Sequence, residues 1–105
     1  MDKIPDKIAT RIKIFLDETE KKNIKINSAY LFGSYAHGNP HKWSDIDLAI
    51  ISDDFSGDYL DDSDIIRDIK IKAGWDFSPQ PFKKQEFENS LFARDEIIKK
   101  GIKIR

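Results

Sequence analysis

Two aspartates flanking one isoleucine, Asp45-Ile46-Asp47, open a run that continues Leu48-Ala49-Ile50-Ile51. The run reads as a buried strand, and charge at the edge of a core carries a desolvation cost that something must offset. At a period of two, Ile46, Leu48 and Ile50 share one face, while Asp45, Asp47 and Ala49 share the other. The two aspartate Cα atoms are then about 6–7 Å apart, so their carboxylates can converge on one or two divalent cations. Magnesium takes oxygen ligands, commonly one or two carboxylates plus substrate phosphates. Without a cation the two acids repel, and one pKa rises.

The second chemical feature lies upstream. Gly33-Ser34 ends the apolar run Ile26 to Phe32 and leads into a short helical turn, "SYAH". Such a turn offers backbone N–H groups and a hydroxyl to an anion. A glycine there lets a phosphate approach the backbone closely. Other phosphate loops are excluded. Gly33 and Gly38 have P-loop spacing, but Asn39-Pro40 stands where Lys-Ser or Lys-Thr is required, and there is no G-x-G-x-x-G.

Asp-x-Asp alone is a weak signal in a chain with 14 aspartates. A second copy, Asp62-Ser63-Asp64, sits in "DDFSGDYLDDSD", which has six aspartates in twelve residues and no strand pattern. It reads as a solvated face or a helix N-terminus. It also lacks the glycine that a calcium loop needs.

The elements that must position these residues follow from periodicity. Ile4, Ile8, Ile12, Phe15 and Leu16 predict an amphipathic helix over 4–22, with Pro5 in its first turn. Strands are predicted over 26–32 and 46–51. Leu60, Ile65, Ile66 and Ile69 predict a helix. Trp75 to Ser78 forms a third short strand, ended by Pro79 and Pro81. Phe87, Leu91, Arg94 and Ile98 fall on one face of a last helix, with Gly101 in a C-cap position. Helices alternate with strands, so the class is α/β or α+β around a small sheet. Trp43, Trp75, Tyr30 and Phe32 read as core or edge packing, and His37 and His41 as exposed loop residues.

Composition limits the function classes. A length of 105 residues suits one small domain, 1–105, with a single core. Hydrophobic residues at 39% and charged residues at 35% fit a folded globular chain. No apolar stretch approaches the roughly 20 residues of a membrane span, and no secretory signal opens the chain, so a cytoplasmic location is expected. Without cysteine there are no disulfides, zinc-cysteine sites or thiol catalysis. A net charge of −1 and a pI near 6.1 argue against tight, non-specific nucleic-acid binding by this chain alone.

Gly33-Ser34, ten residues, then Asp45-Ile46-Asp47, within "GSYAHGNPHKWSDIDLAI", resembles the signature of the minimal nucleotidyltransferases of the DNA polymerase beta-like superfamily. The resemblance runs along essentially the whole chain, through the "SDDF" turn, the "WDFSP" strand and the closing "ARDEIIKKGIKI" helix. It implies the nucleotidyltransferase fold, ATP as substrate and two magnesium ions held by Asp45, Asp47 and a third carboxylate, Asp76. Gly33, Ser34 and Ser44 would contact the nucleotide. Asp76 lies between Trp75 and Phe77 and is expected on the polar side shared by Asp45 and Asp47. His37 stands where family members often carry arginine. Family members of this size are commonly encoded beside a HEPN-domain toxin and act as its antitoxin, some by transferring AMP to a toxin tyrosine. The resemblance therefore implies a HEPN partner. Two other readings stay open: an antitoxin that neutralises its partner by binding alone, and an enzyme acting on a small molecule or an RNA 3′ end.

Overall fold

The computed structural model describes residues 4–36 and 45–105. His37, His41, Trp43 and Ser44 lie outside the described residues. The chain folds into a mixed four-stranded sheet with helices on both faces. Helix α1 spans Asp6–Lys21 and buries Ile8, Ile12, Phe15, Leu16 and Thr19 along one stripe. Asn23, at φ 64, turns the chain out of it. Strand β1, Ser28–Phe32, pairs antiparallel with β2, Ile46–Ile51, and Phe32 falls opposite Asp47.

Helix α2, Tyr59–Ala73, then carries the chain over to β3, Phe77–Phe82, which runs parallel to β2. Asp58 caps α2 by accepting from the N–H groups of Leu60 and Asp61. The acidic stretch thus forms a helix N-terminus, as its composition suggested, but Asp62 is only 5% exposed. Its carboxylate accepts from the backbone N–H groups of Ser56 and Gly57 and from the Ser56 hydroxyl, pinning the loop before α2.

Strand β2 is buried on both faces, which explains its unbroken apolar run. Ile46, Leu48 and Ile50 join α1, α2 and Phe77 in one core cluster. Ala49 and Ile51 join Phe32, Phe87, Ala93 and Ile97 on the other side. The alternation read from the sequence is the one observed.

Three expectations are corrected. Pro79 and Pro81 do not end β3, because the strand runs through both. The carbonyls of Asp76 and Phe82 accept from Ile46 and Ser52 of the β2 side. Even-numbered residues of β3 therefore turn their backbone groups toward β2, and the prolines fall at the outward positions of an edge strand, where no ladder N–H is lost. Trp75 is not packed but 67% exposed in the turn before β3, with the Lys70 ammonium over its ring.

The closing helix is not one continuous α-helix. Helix α3, Lys84–Asn89, stops at Ser90, whose backbone is extended and whose hydroxyl accepts from the N–H of Ala93. A π-helical segment, Ala93–Ile98, follows. Its wider turn shifts the buried face to Phe87, Ala93 and Ile97, leaving Leu91 and Ile98 outside. Gly101 donates its N–H to the Ile97 carbonyl, and Ile102–Lys103, β4, adds an unforeseen edge strand beside β1. No helix among the described residues is long and apolar enough to cross a membrane.

Candidate active site

At the end of β1 the chain turns through Gly33, at φ +73, into the 3₁₀ turn Gly33–Tyr35. Asp47, in the first turnings of β2, lies across the ladder from Phe32. The antiparallel pairing thus brings the Gly-Ser turn and the aspartate pair to one end of the sheet. The contact is close. A Cβ added to Gly33 would collide with Asp47 Oδ2, with Asp47 Cγ 3.0 Å away. Gly33 is required here for two reasons: a left-handed backbone, and room for the carboxylate that lies on it. The sequence suggested only backbone access for phosphate.

Asp45 is exposed and Asp47 half-buried. Burial pushes the Asp47 carboxyl above the ordinary carboxylate range, the charge of Asp45 adds to the rise, and a hydrogen bond from Ser78 opposes it. Ser78 stands opposite Asp47 in the parallel β2–β3 register. The sequence reading missed it, and pairing β2 with β3 in register was the only signal that could have found it. Among the described residues no lysine or arginine pairs with Asp45 or Asp47. Two hard oxygen donors in mutual repulsion, one held against the Gly33 turn, are donor chemistry that a magnesium ion fits.

Asp76 makes a contact that the sequence did not foresee. Its backbone carbonyl anchors the start of β2 through Ile46, but its side chain forms a two-pronged ion pair with Arg11 of α1. The hydrogen bonds from Arg11 hold the Asp76 carboxyl below its usual range, against the opposing effect of burial. Among the described residues no three His, Asp or Glu side chains converge closely enough to hold a metal ion. The structure thus joins Gly33, Ser34, Asp45 and Asp47 at one end of the sheet, and leaves the Asp76 carboxylate engaged by Arg11.

A family model described as "Polymerase beta, Nucleotidyltransferase" matches residues 15–105. The chain belongs to that family. The fold is also seen in a crystal structure of a mutant of the toxin–antitoxin MntA-HpeT. That structure superposes with a TM-score of 0.61 at 20% identity, covering 89% of this chain and 70% of the other. At this identity the likeness is one of fold. That mutant carries glutamate in place of two aspartates separated by one residue. No curated protein sequence matches the chain.

Proposed function

We propose that the chain is a magnesium-dependent nucleotidyltransferase that moves AMP from ATP to a hydroxyl acceptor, a tyrosine of a HEPN-type toxin, and so acts as its antitoxin. The observation that carries this reading is the contact of Asp47 with Gly33, which puts the carboxylate pair against the turn suited to phosphate. Family membership supports nucleotidyl transfer, and the toxin–antitoxin of similar fold supports the kind of partner.

In this reading the N–H groups and hydroxyl of Gly33-Ser34, with Ser44, bind the triphosphate. Asp45, Asp47 and Asp76 would hold magnesium, which when bound stabilises the charge on the α-phosphate and on the leaving pyrophosphate. The acceptor oxygen bonds to the α-phosphorus as the bond from that phosphorus to the bridging oxygen of pyrophosphate breaks. The hydroxyl proton passes to a carboxylate of the site. Asp76 takes that role only after leaving the fork of Arg11, which engages both of its oxygens.

Intact-mass spectrometry of a co-purified HEPN partner, after incubation with ATP and magnesium, tests the reading. An AMP-sized adduct that disappears with Asp47→Asn supports it. Neutralisation of the partner with no adduct from the unmutated chain makes this a binding antitoxin instead.

A further inference from the structure

Arg11 sits on α1 one residue before the buried Ile12, and its guanidinium reaches the turn between α2 and β3. Nη1 donates to Asp76 Oδ2 at 2.7 Å, and Nη2 donates to Asp76 Oδ1 at 2.5 Å. The guanidinium also lies over the Phe77 ring, 5.3 Å from its centroid. Gly74 makes the room: a Cβ there would strike Arg11 Nη2 and come within 2.9 Å of Asp76 Oδ1. Tyr35, the last residue of the 3₁₀ turn Gly33–Tyr35, lies near the Arg11 guanidinium.

A planar fork takes one of the two lone pairs on each carboxylate oxygen and sets a full positive charge against them, so a divalent cation on the same carboxylate would meet both a reduced donor set and the guanidinium's repulsion. Arg11 and a divalent cation are therefore rivals for Asp76. The pair is open to exchange, since the Arg11 and Asp76 side chains are 29% and 46% exposed. Building on the nucleotidyltransferase reading, we propose that Arg11 is an internal cation that occupies Asp76 until a divalent cation displaces it. Arg11 is then a positioning residue that sets how tightly the site takes metal. A purely structural Arg11 would do the opposite, because losing it would disorder Asp76 and weaken the metal.

The test titrates Mn²⁺ alone into the full chain and reads the free ion by electron paramagnetic resonance. Arg11→Gln should bind Mn²⁺ about three- to tenfold more tightly, the scale of one partly exposed two-pronged ion pair. Arg11→Lys, which keeps the charge and loses the fork, should fall between, and it decides the matter if Arg11→Gln does not fold. Repeated in an Asp76→Asn background, Arg11→Gln should give no gain. Equal or weaker Mn²⁺ binding by the Arg11 variants overturns the proposal, as does a gain that persists without Asp76, which would be a bulk charge effect. If Mn²⁺ binds through Asp45 and Asp47 yet is indifferent to Arg11, only this proposal falls. If the unmutated chain and the Arg11 variants bind no Mn²⁺, the metal reading falls with it.

Discussion

Gly33→Ala isolates the contact on which the site is built. The native φ of +73 is left-handed, and an alanine there costs about 1–2 kcal/mol. The new methyl would also overlap Asp47 Oδ2, so the carboxylate must swing off its rotamer, adding about 0.5–1.5 kcal/mol. Together these cost about 1.5–3.5 kcal/mol. Urea unfolding should show it as a lower midpoint at unchanged slope. The decisive control is the same change in an Asp47→Ala background. There the steric part vanishes and only the backbone part remains, so the two sites should couple by about 1 kcal/mol in a double-mutant cycle. Mn²⁺ affinity should fall with Gly33→Ala, because the displaced carboxylate is one of the proposed ligands. An equal cost in both backgrounds, with unchanged Mn²⁺ affinity, would refute the idea that Gly33 exists to seat Asp47.

Asp47→Asn in metal-free buffer should be as stable as the unmutated chain or more so at neutral pH. Asp47's raised carboxyl pKa gives stability that is present below the ordinary carboxylate value and lost as pH rises through the shifted one, so the gain should vanish on acidification. Asp76→Asn should do the reverse, costing about 0.5–1 kcal/mol at neutral pH for a partly exposed pair. The Asp76 carboxyl is lowered, so its contribution holds above the ordinary value near about 4 and is lost as pH falls through the shifted one; a chemical-denaturation series in pH should see the two proteins converge in acid. In the closing segment, Ile97→Ala should cost about 2–5 kcal/mol and Ile98→Ala under about 0.5 kcal/mol, since they are 0% and 46% exposed. Equal costs by thermal or urea melts would contradict the π-helical shift.

The aspartate pair was legible because strand alternation is a local rule, and β2 obeys it on both faces. The family signature was legible for the same reason, since Gly33-Ser34 and Asp45-Ile46-Asp47 are compact in sequence. What escaped depends on pairing. Pro79 and Pro81 are strand breakers by composition, and only the side on which β3 meets β2 makes them harmless. Helical spacing from Phe87 predicted Leu91 and Ile98 inside, but Ser90 starts a new helix and one π turn moves burial to Ala93 and Ile97. Alternation around Asp76 gave a face, yet Asp76 lies in a turn, and its partner Arg11 is 65 residues away on another element. Docking of α1 alone brings them together.

The most direct measurement of the central claim compares ATP labelled at the α-phosphate with ATP labelled at the γ-phosphate. With magnesium and acceptor present, the account predicts that α-label stays on the acceptor, that γ-label leaves in pyrophosphate, and that Asp45→Asn or Asp47→Asn abolishes the transfer. Label arriving from the γ-phosphate, or α-label transfer undiminished in both variants, would contradict it.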